Sequence, residues 1–390
     1  MELTLSPEQA AVRDLAAEFV NREIVPHAAD WDRRESVDPG IVKQLGDLGF
    51  LGLTIPEELG GSGGDQLSYA LVLEELGRGC SSVRGLVSVS LGLVAKAIAA
   101  NGTPAQQERW LPVLCAGYAL GCFALTEAGT GSDAAALTTR AVRDGDDWLI
   151  TGSKMFITNG TWADVALVFA RTGAPDDPDS SQPPHRGITA FLVPTGVAGL
   201  TRREIHGKLG LRGQPTAELT FDTVRVPDSD RLGPVGGGFR IAMSTLDKGR
   251  MSVAAGCVGI VQACLDAAVE YAGQRTQFGK PIAGHQLVQE MIADSAVDVD
   301  ASRLLTWAAA DLKANGERHS LAASKAKLFA TEASIRVANA CLQVHGGYGY
   351  VEDYPAAKFL RDARVTTLYE GTSQIQKLLI GRALTGISAF

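Results

Sequence analysis

Trp148-Leu149-Ile150-Thr151-Gly152 and Met155-Phe156-Ile157-Thr158-Asn159-Gly160 decide the architecture. Both runs are rich in β-favouring residues and both end on glycine, so they read as two strands joined by a turn. Alternation places Phe156 and Thr158 on one strand face. Around them, Phe123-Ala124-Leu125 is short and apolar, while Ala166–Ala170 and Ile188–Val193 read as buried strands. Glu218–Asp222 and Val224–Val226 alternate and stop at Pro227. Gly173 to Gly187, rich in Pro, Asp and Ser, is expected to be a surface loop.

Outward from this block the pattern turns helical on both sides. Ser6-Pro7-Glu8 looks like a helix cap followed by proline at the first helical position. Tyr69–Leu76 and Ser88–Ala100 read as helices, and Asn101-Gly102-Thr103-Pro104 ends one and restarts another. After Gly236-Gly237-Gly238, Ile241–Gln274, His285–Asn315 and Leu321–Leu342 carry small and apolar residues at helical spacing. Their alanine-rich faces suit a four-helix bundle. The expected fold class is mostly α with a central β domain. The expected domains are residues 1–118 (helical), 119–232 (β, barrel-like) and 233–390 (helical bundle). The order is not an alternating βαβ series, which argues against a Rossmann nucleotide fold.

Composition narrows the function. A chain of 390 residues with 45% hydrophobic and 21% charged residues has the balance of a globular protein. A net charge of −8 argues against a nucleic-acid-binding surface. No apolar run looks long enough to span a bilayer, and the N-terminus lacks signal-peptide order, so the expectation is a cytoplasmic protein without a membrane partner. Cys80, Cys115, Cys122, Cys257, Cys264 and Cys341 form no C-x-x-C pair and read as buried thiols. No metal pattern, phosphate loop or nucleophile elbow is present in the sequence.

Five clusters remain. Tyr369-Glu370-Gly371-Thr372-Ser373-Gln374-Ile375-Gln376 sets an acid between an aromatic and a glycine, just before a helix that Thr372 or Ser373 can cap. Glu370 is either a general base reaching into a cavity or a solvated acid favoured by the helix dipole. Thr126-Glu127-Ala128-Gly129-Thr130-Gly131-Ser132-Asp133 follows a strand and is a ligand-approach loop or a plain turn. Phe156 beside Thr158 suits a flat heterocycle, or two core positions. Arg275-Thr276-Gln277-Phe278-Gly279-Lys280-Pro281, at a helix end, suits phosphate binding and dipole pairing equally. In Gln343-Val344-His345-Gly346-Gly347-Tyr348-Gly349-Tyr350, a lone histidine is more often structural than catalytic.

Taken together and in this order, these clusters resemble those of the acyl-CoA dehydrogenase family, over nearly the whole chain. The resemblance implies FAD between the β domain and the C-terminal helices, and a homotetramer. It implies that Leu125, Thr126, Phe156 and Thr158 meet the flavin ring. Arg275, Gln277, Phe278 and Gln286, with Gln343, Val344, His345, Gly346 and Gly347, would reach the FAD of a neighbouring subunit. Thr372 and Gln374 would bind their own. Ser132, Asp247, Arg250, Tyr369 and Gly371 would lie along the thioester. Glu370 would be the base, since the position some relatives use instead matches Gly249 here. The implied substrate is a short acyl group on CoA or an acyl carrier protein, with electron-transfer flavoprotein as the electron acceptor. Competing classes are an oxidase of the same fold and a non-catalytic nucleic-acid-binding relative; the acidic charge argues against the latter.

Ser82-Val83-Arg84-Gly85-Leu86-Val87-Ser88 sets Arg84 and Ser88 four apart, on one helix face. The segment is similar to that of glutaryl-CoA dehydrogenases, where the arginine holds the substrate's distal carboxylate. A pocket glutamate of that subgroup matches Gly77 here. The alternative is that Arg84 pairs with Glu74 or Glu75.

Overall fold

The computed structural model describes residues 4–173 and 184–389. The helices are α1 (Pro7–Phe19), α2 (Ala28–Arg33), α3 (Gly40–Asp47), α4 (Gln66–Gly79), α5 (Ser81–Val89), α6 (Lys96–Asn101), α7 (Pro104–Cys115), α8 (Gly238–Gln274), α9 (Gln286–Ala314), α10 (Ser320–His345), α11 (Ala356–Thr366) and α12 (Ser373–Thr385). The strands are β1 (Gly121–Ala124), β2 (Arg140–Asp144), β3 (Asp147–Thr158), β4 (Val165–Arg171), β5 (Ile188–Pro194), β6 (Leu200–Glu204), β7 (Thr216–Pro227), β8 (Arg231–Leu232), and a small hairpin of β9 (Thr276–Gln277) and β10 (Lys280–Pro281). The order is helices, sheet, helices, which is the expected fold class. Most of the expected Gly173–Gly187 loop lies outside the described residues.

Local chemistry sets the helix starts. Ser6 and Gln9 form a reciprocal capping box on α1, and Thr103 and Gln106 do the same on α7. The helix expected from Ser88 begins earlier, at Ser81. Its start is inconspicuous in sequence because Cys80 precedes it in an extended conformation and supplies no side-chain cap. A π-helical turn, Ser90–Ala95, joins α5 to α6 without a break.

The large sheet runs β6-β7-β3-β2-β4-β5-β8, with β1 parallel to β4. The two strands expected on either side of a turn at Gly152 are one strand, β3. Its partner β7 is also continuous, and the mismatch between them is absorbed by irregularities at Ile150/Gly152 and Lys154/Ile157. Gly152 sits at φ 145° and Phe156 at φ 61°, so the extra backbone length is taken up locally rather than in a turn.

The Ser81–Asn101 and Gly238–Gln274 helices are long and apolar enough to cross a bilayer, contrary to the sequence expectation. Their most apolar windows are 83% and 67% buried, so this hydrophobicity faces the protein. α8 crosses α4 at very short range. A Cβ built on Gly259 would lie 2.0 Å from the Glu74 carbonyl oxygen, and one on Gly77 would lie 2.4 Å from that of Gly256. All six cysteines are buried and free.

Polar bonds join the three regions. Arg303 of α9 donates to Glu74 of α4 at 2.6 and 2.9 Å. Asp362 of α11 accepts from the Leu211 amide at 2.7 Å and from Lys358 at 2.6 Å. Asn159, fully buried after β3, donates to the carbonyls of Leu86 (3.3 Å) and Gly121 (3.0 Å). The Gly121 amide in turn donates to Ser90 Oγ at 3.2 Å.

Candidate active site

Glu370 lies between α11 and α12, in the left-handed region at φ 52°, followed by Gly371 at φ 88°. Few non-glycine residues sit there without support. The support is polar: Gln376 Nε2 donates to the carbonyls of Glu370 (3.3 Å) and Gly371 (3.1 Å), and Lys327 Nζ donates to that of Gly371 (2.8 Å). Thr372 caps α12 by accepting from the Ile375 amide at 3.2 Å. Both carbonyls are therefore satisfied within the protein. Among the described residues the Glu370 N–H donates to no acceptor.

The carboxylate turns inward. Glu370 Oε2 is buried and bonds to nothing. A Cβ built on Gly249 would lie 2.3 Å from that oxygen, so the missing side chain of α8 makes the space it occupies. Burial pushes the Glu370 pKa up to about 7, against the pull of Arg84, Lys327 and Arg250. This is not a solvated surface acid.

Arg84 acts on Glu370 electrostatically and is 3% exposed. It donates to Ser88 Oγ at 3.1 Å and to the Tyr369 hydroxyl at 2.6 Å, while its Nε bonds to nothing. A Cβ on Gly256 would meet Arg84 Nε at 2.7 Å, so a second glycine of α8 makes room for the guanidinium. The acids considered as its partners are engaged elsewhere: Glu74 with Arg303, and Glu75 with Arg78 at 2.8 Å. Arg250 bonds Asp247 at 2.5 Å and Ser324 at 3.2 Å, and Ser320 donates to Asp247 at 3.1 Å.

The remaining candidates fall into two further places. Leu125 and Thr126 leave β1, beside Thr158 at the end of β3. Lys154, fully buried, donates to the Leu125 carbonyl (3.0 Å) and to Glu127 (2.8 Å), and the Met155 amide donates to the Thr126 carbonyl (2.8 Å). Phe156 is 65% exposed on this shelf, and Ser132 is exposed in the loop that follows. At the ends of α8 and α10, Arg275, Gln277, Val344, His345, Gly346 and Gly347 line one cavity of about 720 Å³. Two clusters distant in sequence thus meet, in a volume suited to a cofactor-sized ligand. His345 is buried, stacks on Tyr271 at 4.4 Å and engages the Cys341 carbonyl at 2.8 Å, so its ring is structural here. Phe278 is 94% exposed at the tip of the β9–β10 hairpin. Gln286, Gln343 and Gln374 are exposed. Among the described residues no hydrogen bond joins this group to the one around Glu370.

Sequence reasoning missed Lys327, Lys154 and Tyr69. A mid-helix lysine or a tyrosine in an apolar run carries no local signal. Only the fold brings Lys327 to the Gly371 carbonyl and Lys154 to Glu127.

Comparison with known proteins identifies the family. The rat (Rattus norvegicus) mitochondrial short-chain specific acyl-CoA dehydrogenase is 43% identical over 369 residues, 95% of this chain and 88% of that protein. Butyryl-CoA dehydrogenase from Megasphaera elsdenii superposes with a TM-score of 0.94 at 39% identity, covering 98% of this chain and 100% of that one. A glutaryl-CoA dehydrogenase from Mycobacterium smegmatis, solved in complex with FADH2, gives a TM-score of 0.93 at 36% identity, over 99% and 96% of the two chains. Models of the N-terminal, middle and C-terminal acyl-CoA dehydrogenase domains match residues 6–118, 122–224 and 236–385 in turn. The three domain models follow one another along nearly the whole sequence, and the chain belongs to the acyl-CoA dehydrogenase family of FAD-dependent oxidoreductases.

Proposed function

We propose that this chain removes hydrogen from the α and β carbons of a short acyl thioester whose far end carries a carboxylate. Glu370 takes the α-proton on Oε2, the buried and unbonded oxygen. A carboxylate held near pKa 7 is partly ionised at neutral pH, and it is a stronger base than an ordinary glutamate. The unpaired Glu370 N–H is a donor for the thioester oxygen as negative charge grows on it. Leu125, Thr126, Phe156 and Thr158 would hold this chain's FAD, and Arg275, Gln277 and Gln343–Gly347 would reach the FAD of a neighbouring subunit. FAD, when bound, supplies the acceptor for the β-hydride. Thr372 and Gln374 at the start of α12 contribute to that binding.

The observation that carries the acyl assignment is Arg84. A buried guanidinium that bonds to two hydroxyls and to no carboxylate, with the unbonded Glu370 acting on it only electrostatically, is expensive to maintain. Gly77, packed on the Gly256 carbonyl, leaves no room for an acid from α4. A substrate carboxylate would complete the set, with Ser88 and Tyr369 beside it. Family membership supports an acyl-CoA substrate and electron-transfer flavoprotein as the electron acceptor, and it supports a homotetramer.

The test is a substrate comparison. Charged hydrogen-bonded contacts are worth roughly 1.5–3 kcal/mol, or about one to two decades in kcat/KM. Arg84→Met should lose that factor on glutaryl-CoA and keep or improve the rate on butyryl-CoA. Equal losses on the two substrates, or a wild-type preference for butyryl-CoA, would make Arg84 structural and the enzyme an ordinary short-chain dehydrogenase.

A further inference from the structure

Lys327 lies inside α10 and is fully buried. Its Nζ donates to the Gly371 carbonyl at 2.8 Å, and among the described residues Nζ makes no other hydrogen bond. The same carbonyl already accepts from Gln376 Nε2 at 3.1 Å, and Gln376 serves the Glu370 carbonyl as well. The turn that carries the base therefore has its backbone satisfied without Lys327. A methionine would fill the same volume without bringing a charge into the interior, where an ammonium is costly. What the lysine adds is the charge.

That charge sits beside the base. Glu370 precedes Gly371, so backbone dimensions and the Lys327 bond put Nζ within about 9 Å of the Glu370 Cα. Glu370 Oε2 bonds to nothing, and the ammonium acts on it through space. The cations acting on Glu370 are Arg84 of α5, Lys327 of α10 and Arg250 of α8. Arg250 is paired with Asp247 at 2.5 Å, and Arg84 is bonded to Ser88 and Tyr369. Lys327 forms no ion pair among the described residues. Besides burial, the groups acting on it are Cys257 and Arg250 of α8, Glu370, and Glu332 of its own helix, which accepts from Ser373 Oγ at 2.5 Å. Tyr69 and Tyr369 also neighbour the carboxylate, and burial raises both phenols, so they stay neutral. Burial lowers Lys327 only to about 8, which leaves it charged at neutral pH.

We propose that Lys327 is a positioning residue for the reaction, held against the Glu370–Gly371 turn so that its charge keeps the Glu370 carboxylate ionised and able to accept the α-proton. At this range inside a protein, one charge shifts the titration of another by about one pH unit. Burial drives the base towards its neutral form, and the ammonium opposes that drive. The same charge favours loss of the captured proton afterwards, which returns the base to its active form. The inference rests on Glu370 as the base and not on the acyl assignment.

The test uses the FAD-loaded enzyme and butyryl-CoA, whose acyl end carries no charge. In the neutral variants Lys327→Met and Lys327→Gln, the acid limb of kcat/KM should move up by about one pH unit, lowering the rate about fivefold at pH 7 and sparing it in alkali. Both variants should bind FAD, since Gln376 still serves the Gly371 carbonyl. Lys327→Arg, which restores a charge, should return the limb to its wild-type position. A second readout needs no turnover. The infrared carboxyl band that Glu370→Gln removes should titrate about one unit higher in the neutral variants than in the wild type. An unmoved limb and band in those variants, with Glu370→Gln inactive, overturns this inference alone. Failure of both neutral variants to fold would make Lys327 structural and overturn it too. Wild-type flavin reduction by Glu370→Gln would overturn the base assignment along with it.

Discussion

At Glu370 one environment sets both reactivity and stability. Burial holds its pKa near 7, above the ordinary 4.5. The free enzyme's kcat/KM should therefore rise with pH through about 7 as the base ionises. Folding responds in the opposite sense. An acid whose pKa is raised on folding penalises the native state as pH climbs past its unfolded value, and the penalty is complete above the folded one. Glu370→Gln should equal the wild type in denaturant stability near pH 4 and exceed it above pH 7, by up to about 3 kcal/mol. The same variant should lose about 10²–10⁴ in flavin reduction rate while keeping FAD. Wild-type reduction rates, or a variant less stable at high pH, would refute the assignment. Part of this residue was legible in sequence: Gly371 signals the turn and Thr372 the cap. The Arg84–Tyr369 contact spans 285 positions, so no local pattern announces it.

The α4–α8 crossing shows how glycine sets distance between elements. Gly77, Gly256 and Gly259 let the backbones approach, and the same helix leaves space at Gly249 for the carboxylate and at Gly256 for Arg84. Gly259→Ala puts a methyl 2.0 Å from the Glu74 carbonyl oxygen, so the helices must part. A loss of roughly 1–3 kcal/mol is expected in chemical denaturation, as for other overpacked cores. An unchanged midpoint would mean that the crossing is looser than described. Periodicity in sequence reveals these helices but not their glycine contacts, because a helical glycine reads the same whether it faces solvent or a neighbour. The β3 strand was misjudged for a related reason. Gly152 looks like a turn, yet the long partner β7 holds both halves in one strand, so tertiary pairing overrides the local signal.

Across the whole molecule the helix–sheet–helix order was readable from the change of period, whereas the bonds between regions were not. The Leu211 amide, Asp362 and Lys358 form one buried unit between the β region and α11. Asp362→Ala would leave Lys358 buried and unpaired, and should cost about 3–5 kcal/mol. Lys358→Met added to that variant should recover part of the loss. No loss in the single variant would show that the unit does not hold the regions together. The Asn159 bonds have a different consequence. They tie the helix carrying Arg84 to β1, which leads into Thr126, and to β3, which ends at Thr158, through Leu86, Gly121 and Ser90. Acyl recognition and the flavin shelf therefore share one rigid chassis. Descendants of this scaffold would change chain-length preference by altering the volume of side chains such as Ser88, and hardly at all by bending the backbone. Adaptation of this kind proceeds in single-substitution steps, with each intermediate still able to hold its cofactor.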